Sequence, residues 1–239
     1  MWLAGVDGCP TGWLVALVRL ASAEIRVRIV PRFADILTAM EAPAVVAVDI
    51  PIGLPERVGS GGRIAENTVR PLLGARQSSV FSVPSRTAIY AGDYGEACRL
   101  AAATSDPPRK VSKQLFKIAP KIREVDQAVR ASSTAERVFE VHPELAFWRL
   151  NGERPLDEPK KIKSRCYEPG LALRRTLLIA AGLAPEAVNA APPKGAGLDD
   201  LLDALACAAI ARRLYAGTAR PFPDPPPRDQ HGLPMAIWA

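Results

Sequence analysis

The 239-residue chain is poor in the residues that define several common kinds of site. It has two histidines and four cysteines, and no two cysteines form a C-x-x-C pair. A histidine-rich zinc centre, a redox pair and a disulfide framework are therefore disfavoured. We expect reduced and mostly buried thiols, as in cytoplasmic proteins. Aromatic residues make up 6% of the chain, which indicates no strong surface for stacking nucleic-acid bases.

The sequence also lacks a segment that would place it in a membrane. No apolar run reaches the ~18 residues that a spanning helix requires. The N-terminal stretch MWLAGVDGCPTGW has no basic region before its apolar residues, so we expect no signal peptide and a cytoplasmic location. Hydrophobic residues make up 48% of the chain, enough for a large core, and the net charge of +6 is compatible with a nucleic-acid partner.

Hydrophobic periodicity predicts a mixed α/β architecture. The runs LAGVDG, WLVALVRL and EIRVRIV are joined by short turns and predict three strands of an antiparallel meander. FADILTAME has helical spacing, and the apolar run AVVAVDIPIG predicts a strand buried on both faces. RVFEVHPE predicts a fifth strand that Pro143 ends, and helices follow. This order indicates one α/β domain over residues 1–239, with an extended, proline-rich tail from Gly217.

Residues 54–134 differ from the rest and predict a partly helical, basic insertion between the fourth and fifth strands. The insertion is a candidate lid or substrate platform. Its basic residues are candidates for binding phosphate groups: Arg70, Arg76, Arg86, Lys110, Lys113, Lys117 and Lys121. The four lysines fall at spacings of three and four, as expected for one face of a helix. A solvated helix face is the alternative interpretation of the same pattern.

Carboxylates follow or end three of the predicted strands. Asp7 ends the first strand, Asp49 ends the buried fourth, and Glu140 and Glu144 flank the end of the fifth. In mixed sheets with crossover helices, the ends of neighbouring strands converge on a common crevice. Carboxylates gathered there would repel one another, and a divalent cation would resolve the repulsion. Oxygen ligands favour magnesium or manganese, and two such ions ~4 Å apart would support phosphodiester hydrolysis.

The stretch LDDLLDALACAAIARRL predicts a helix with three aspartates near its start. Asp199 is expected to be its N-cap, because carboxylates favour the unpaired N–H groups of a helix N-terminus. Asp200 and Asp203 have i, i+3 spacing and lie on one face of the helix. Asp203 lies a full turn inside the helix, where capping no longer explains a carboxylate. Both are therefore candidate metal ligands.

Alternative interpretations apply to the other candidates. Asp7 and Asp49 each precede turn-forming residues and could simply initiate turns. Glu140 alternates with Val138, and we expect it to face solvent. His142 is a candidate proton carrier or substrate-binding residue, although a lone histidine before a proline is more often structural.

A combination of motifs resembles one known family over nearly the whole chain. The motifs are AGVDGCPTGWLVALV, VVAVDIPIGLP, RPLLGARQSSVFSVPSR, IREVDQAVR, FEVHPELAFWRLNG and DDLLDALACAAIARRL. Together they resemble a family of predicted ribonuclease-H-like nucleases, catalogued as a domain of unknown function, number 429. The last motif also resembles the D-x-x-D-A-L-A helix of RuvC-type Holliday-junction resolvases, with Asp200 and Asp203 at its acidic positions.

The resemblance implies a fold and a site. Ribonuclease-H-like proteins have a five-stranded mixed sheet of order 3-2-1-4-5 flanked by helices, with one carboxylate on the first strand and one on the fourth. In this chain those carboxylates are Asp7 and Asp49. The implied activity is metal-dependent cleavage of phosphodiester bonds, with Asp7, Asp49, Asp203 and Glu144 as catalytic residues and nucleic acid or a small phosphoester as substrate. The long insertion departs from the minimal fold of that superfamily.

Two other functional classes remain open. Actin-like sugar kinases share the sheet topology, and the hairpin around VDGCPTGW could approach ATP phosphates. Such kinases usually have two copies of the fold, whereas this chain has room for one, and it lacks a G-x-x-x-x-G-K-[ST] loop. The third class is a non-catalytic module that binds a nucleic acid or a protein. The sequence does not indicate an oligomeric state.

Overall fold

A computed structural model of the protein describes residues 1–131, 135–163 and 165–239. Its centre is a five-stranded mixed sheet of order β3-β2-β1-β4-β5, the order that the resemblance implied. The strands are β1 Trp2–Cys9, β2 Gly12–Arg19, β3 Ile25–Val30, β4 Val46–Val48 and β5 Val138–Glu140. Two short hairpins lie outside this sheet: β6 Lys161–Ile162 with β7 Arg165–Cys166, and β8 Pro221–Phe222 with β9 Ile237–Trp238.

The predicted meander is present, and the position of its first turn shows that Asp7 does not initiate it. Strands β1 and β2 are paired from Trp2 opposite Arg19 to Cys9 opposite Gly12. The turn is therefore at residues 10–11, and Asp7 lies within the paired strand rather than initiating a turn. Strands β4 and β5 run parallel to β1, as expected after helical crossovers.

Helices cover both faces of the sheet. The α-helices are α1 Ala34–Leu37, α2 Ile64–Val69, α3 Arg86–Ile89, α4 Tyr94–Ala103, α5 Lys113–Ala131, α6 Pro143–Leu150, α7 Glu168–Ala180, α8 Pro185–Val188 and α9 Leu198–Tyr215. Two 3-10 helices span Arg70–Ser79 and Ala135–Arg137. In the described part of the chain, none of the helices has the length and apolar character needed to cross a membrane.

The predicted insertion forms much of one layer of the fold. Helix α5 packs Leu115, Ile122 and Val125 into the same core as Val6 and Val48 of the sheet. This packing explains why the insertion has apolar positions at helical spacing. It is therefore not a detached lid, although its loops border the clefts described below. Its last three residues, 132–134, lie outside the described residues.

Helix α9 covers the opposite face and approaches β1 very closely. A Cβ atom on Gly5 would lie 2.1 Å from the Ala204 carbonyl oxygen and from the Ala208 nitrogen. Only glycine permits this backbone contact, since any side chain would collide with the helix. The contact presses the start of α9 against the central strands. It thereby sets the distance between the aspartates of α9 and those of the sheet.

The C-terminal tail is more ordered than the expected extended segment. It forms the hairpin of β8 and β9, and Ile237 is buried in the core on the α9 side. Asp229 of the tail is buried and accepts a hydrogen bond from the Leu54 backbone N–H at 3.0 Å. The expectation from proline content was wrong here because buried side chains and specific polar contacts hold the tail to the domain.

Candidate functional site

Two aspartates lie side by side at the carboxyl ends of the parallel strands β1 and β4. The Asp49 backbone N–H donates to the Val6 carbonyl at 3.0 Å, which continues the parallel ladder by one step. Successive side chains of a strand point to opposite faces. Leu3 and Ala47 belong to the core on the α9 side, so Asp7 and Asp49 also point toward that side.

Helices α9 and α6 bring two further carboxylates to this position. Asp203 of α9 is 3% exposed and Glu144 of α6 is 5% exposed. The charge of Asp203 raises the pKa of Asp7, and the charge of Glu144 raises the pKa of Asp49. We call these four carboxylates, together with Lys160, the acidic site.

Burial is the main cause of the unusual acidities in the acidic site. It raises the pKa of Asp7 well above the ordinary value, and Asp49 and Asp203 raise it further. Burial also raises the pKa of Asp49 to about 7 and that of Asp203 to about 6. A desolvated carboxylate favours its neutral form unless a cation compensates. The site is thus poised to take up either protons or a cation near neutral pH.

One lysine already supplies part of that compensation. The Lys160 ammonium donates to Oδ2 of Asp203, and its charge lowers the pKa of Asp7, Asp49 and Asp203. Asp203, Asp7 and Glu144 in turn hold the pKa of Lys160 above its usual range, against the lowering effect of burial. The next residue, Lys161, pairs with Asp199 at 2.5 Å. Neither lysine was among the candidate residues predicted from the sequence.

The acidic site has donor atoms suited to a hard cation, but they are not gathered into a ready-made cage. Oδ1 of Asp203 and Oε2 of Glu144 are buried and have no hydrogen-bond partner among the residues that the structure describes. Carboxylate oxygens are the preferred ligands of magnesium and manganese. Within residues 1–131, 135–163 and 165–239, no three acidic, histidine or cysteine side chains already form a group that could hold a metal ion. The chemistry of the site therefore fits a metal, and closer approach of the carboxylates would accompany binding.

A cleft of about 230 Å³ opens beside Asp7 and Asp49. Its far wall is a second group of buried charges, Arg63, Glu66 and Glu140, which we call the arginine cluster. Arg63 donates to Oε1 of Glu140 at 2.6 Å and to Oε1 of Glu66 at 2.8 Å. Its remaining contacts include the carbonyls of Ile52 and Gly53 at 2.7 and 3.0 Å.

The expectation that Glu140 faces solvent was wrong. Glu140 is 5% exposed, and besides Arg63 it accepts the Ile52 backbone N–H at 2.7 Å. Burial raises its pKa to about 7, and the Arg63 guanidinium opposes that rise. The strand predicted from the alternation in RVFEVHPE is present, but other elements cover both of its faces, so neither face is fully exposed to solvent. Of the two candidate glutamates, Glu144 contributes to the acidic site and Glu140 is held by Arg63.

The three aspartates near the start of α9 make different contacts. The N-cap is Gly197 rather than Asp199. Asp200 accepts the Gly197 backbone N–H at 2.8 Å, while Asp199 pairs with Lys161. Asp200 is thus engaged in capping at the edge of the acidic site, where its charge still raises the pKa of Asp7. Asp203, one turn further, is the aspartate of α9 that reaches the acidic site itself.

The predicted phosphate-binding residues are dispersed. Arg86 is buried and pairs with Asp126 at 2.5 Å and with Asp229 at 2.6 Å. The Arg86 guanidinium links the insertion to the tail through these two ion pairs. We therefore do not retain Arg86 as a substrate-binding residue. Lys113 and Lys117 are exposed on α5 and line neither cleft.

The remaining basic candidates fall at different places. Arg76 is half-buried in the first 3-10 helix, and Arg70 bonds to the Val80 carbonyl at 3.1 Å. Lys121 lines the cleft beside Asp7 and donates to the Gly12 carbonyl at 2.6 Å. The predicted stripe is therefore not a single surface, because its last lysine turns toward the sheet while Lys113 and Lys117 face away.

His142 lines the same cleft as Asp7 and Asp49. Its Nε2 lies 3.3 Å from the Ser79 carbonyl oxygen, and its Nδ1 is buried without a hydrogen-bond partner. Burial lowers its pKa, so the ring is mainly neutral at neutral pH. Because the Ser79 carbonyl can only accept, Nε2 carries the proton of the neutral ring, and Nδ1 is able to accept one hydrogen bond from a ligand.

A second cleft of about 320 Å³ adjoins the first across Val80, Phe81 and Val83, which line both. Its polar lining is basic and hydroxylic: Arg109, Lys110, Gln114, Ser78, Ser82, Ser105 and Ser112. None of the carboxylates in the described part of the chain lines it. This composition suits an anionic group of a ligand. The carboxylates, in contrast, line the first cleft.

Several residues of these clusters escaped the sequence analysis. Arg63 and Lys160 occur in polar, loop-like stretches where nothing marks one basic residue as buried. One available signal was the excess of buried acidic positions. Each carboxylate predicted to lie inside the fold requires a cation or a proton, so the nearby basic residues were candidates for pairing.

The fold and the site together define an α/β protein with a carboxylate-rich crevice at the ends of its central parallel strands. The chain belongs to the family described as "Protein of unknown function (DUF429)", whose sequence profile matches residues 5–228. Neither the curated proteins nor the solved structures provide a match to this chain.

Proposed function

We propose that the protein is a metal-dependent hydrolase of phosphodiester bonds with the acidic site as its catalytic centre. One observation carries the proposal. Asp7 and Asp49 lie on adjacent parallel strands and face Asp203 and Glu144, and the pKa values of the three aspartates are raised. Perturbed carboxylates beside a cleft are typical of a functional site and costly in a purely structural one.

Asp7, Asp49 and Asp203 would hold a magnesium or manganese ion, with Glu144 beside them. Such an ion lowers the pKa of a bound water and stabilises charge on phosphate oxygens. The open oxygens of Asp203 and Glu144 are the atoms with acceptor capacity to spare. The sheet order agrees with that of ribonuclease-H-like nucleases, which supports the reaction class by analogy only.

The two clefts suggest how a substrate would lie. The first cleft carries Asp7, Asp49 and His142, and the adjoining cleft carries Arg109 and Lys110. A scissile phosphate at the first and a flanking phosphate at the second would match the charge of each lining. This arrangement suits nucleic acid or a small molecule with more than one phosphate.

The test is cleavage of end-labelled single- and double-stranded DNA and RNA, and of a chromogenic phosphodiester, with magnesium or manganese. We expect metal-dependent cleavage that Asp7→Asn and Asp203→Asn reduce at least about a hundredfold. Asp199→Asn is the matched control, since Asp199 lies on the same helix but pairs with Lys161, and it should retain activity. Equal activity in wild type and Asp7→Asn would refute the assignment.

A second candidate is a non-catalytic binding module, and one specific observation favours it. Lys160 neutralises Asp203 from within the chain, which is how a structural ion pair would be built. The thermal midpoint separates the two candidates, because a ligand of the native state raises it. A rise with millimolar manganese in wild type that is lost in Asp203→Asn supports the hydrolase, and no rise in either supports the binding module.

A further inference from the structure

Lys160 is held at the acidic site by a rigid scaffold rather than by its own flexible side chain alone. A Cβ atom on Gly170 would lie 1.9 Å from the Pro159 carbonyl oxygen, so α7 begins in direct backbone contact with the residue before Lys160. The Tyr167 backbone N–H donates to the Lys160 carbonyl at 3.0 Å. The backbone of Lys160 is thereby fixed on both sides.

A buried arginine ties this scaffold to the acidic site. Arg174 is fully buried and donates to the Glu158 carbonyl at 3.0 Å and to the Gly170 carbonyl at 2.9 Å. Its other terminal nitrogen donates to Oε1 of Glu144 at 2.6 Å. One side chain therefore positions both the segment that carries Lys160 and a carboxylate of the site. Such a construction is unnecessary for an incidental surface ion pair.

The charges of the site leave room for one divalent ion and not for two. In the cation-bound state, with all four carboxylates ionised, they contribute four negative charges, while Lys160 paired with Asp203 and Arg174 paired with Glu144 contribute two positive ones. Two negative charges, those of Asp7 and Asp49, remain without a cationic partner in direct contact among the described residues. One divalent cation neutralises them. A second would make the site net positive and would compete with the ammonium for Asp203.

We infer that Lys160 is a built-in second cation. The acidic site then binds a single divalent metal ion, held by Asp7, Asp49 and the free Oδ1 of Asp203, while the Lys160 ammonium on Oδ2 of Asp203 occupies the place of another. This inference rests on the proposed function and changes the expectation of two metal ions drawn from the sequence.

The experiment is isothermal titration of the full chain with manganese, with the number of ions bound per chain as the readout. We expect one ion in wild type. In Lys160→Met, which removes the charge and keeps much of the side-chain volume, we expect either a second ion or binding of the first on the order of tenfold tighter or more. Lys160→Arg retains the charge and should still bind one.

Lys161→Met is the matched control, because it removes the same charge from the neighbouring residue, which pairs with Asp199 outside the acidic site. It should behave as wild type. Two ions in wild type would overturn the inference and leave the proposed hydrolase intact. Equal affinity and stoichiometry in Lys160→Met and Lys161→Met would also overturn it. No manganese bound by any variant would overturn both the inference and the metal-dependent function. The wild-type count remains decisive if Lys160→Met does not fold.

Discussion

The acidic site and the arginine cluster line or adjoin the same cleft and are both buried, yet they differ in how far their charges are matched. In the arginine cluster, every buried side-chain oxygen and nitrogen has a hydrogen-bond partner within the chain. In the acidic site, Oδ1 of Asp203 and Oε2 of Glu144 have none. A buried network that is internally satisfied holds the fold together. A network with spare acceptors and excess negative charge is what the proposed metal-binding function requires.

Removal of Arg63 should have the largest effect and would break the satisfied cluster. Arg63→Met leaves Glu66 and Glu140 as buried carboxylates without their cation, so we expect the free energy of unfolding to fall by about 3 to 5 kcal/mol. Urea denaturation followed by circular dichroism measures the change. A loss below about 1 kcal/mol would show that the cluster is not structural and would remove the contrast between the two sites.

Replacement of a carboxylate by its amide at the ends of β4 and β5 should change the stability of the protein in opposite directions. Glu140→Gln removes a charge that Arg63 requires, and we expect it to cost about 2 to 3 kcal/mol. Asp49→Asn relieves an unmatched buried charge, and at pH 8 without metal we expect it to stabilise the protein by about 1 kcal/mol. Thermal unfolding of the two variants in a chelating buffer tests the difference in sign. Destabilisation of similar size in both would mean that Asp49 is also paired in the native state.

The smallest expected effect is the pH dependence of stability without metal. The folded-state pKa of Asp49, about 7, lies above the ordinary value of 3.8. Between these values the folded protein retains a proton that the unfolded chain releases, so stability falls as pH rises from about 4 to about 7. We expect Asp49 to contribute up to about 1 kcal/mol over this range, because its half-buried carboxylate is partly screened by water.

The comparison of wild type with Asp49→Asn isolates this contribution from that of other carboxylates. Unfolding free energies measured from pH 5 to pH 8 should decline less steeply in the variant. Manganese should stabilise wild type most at pH 8, because it binds ionised Asp49. The unfolding free energy of wild type should therefore depend less on pH when manganese is present. An identical decline in both proteins would assign the pH dependence to other groups, such as Glu140.

Much of the fold could be predicted because its signals are local. The period of two in EIRVRIV, the continuous apolar run around Val46 and the turn after Cys9 each reflect burial and backbone preference within a few residues. The position of Asp49 after a fully apolar strand also follows from the sequence, since an aspartate there ends the buried run. The resemblance then supplied the strand order, which the structure has.

The charge balance could not be predicted, because it depends on contacts between distant residues. Lys160 reaches Asp203 across 43 positions and Arg63 reaches Glu140 across 77. Nothing in a stretch of basic residues indicates which one will be buried. Arg86 was assigned to substrate for this reason, whereas the fold pairs it with Asp126 and Asp229.

The linear chain thus specifies which carboxylates stand at the ends of strands, since alternation and apolar runs are properties of neighbours. Tertiary packing decides which of those carboxylates keep an unmatched charge. A close backbone contact at Gly5 places α9 against the sheet, and one at Gly170 fixes the segment that carries Lys160. In the buried environment, each cation that is present or missing changes the electrostatic energy several times more than it would in water. The excess negative charge of the acidic site is therefore a result of tertiary packing.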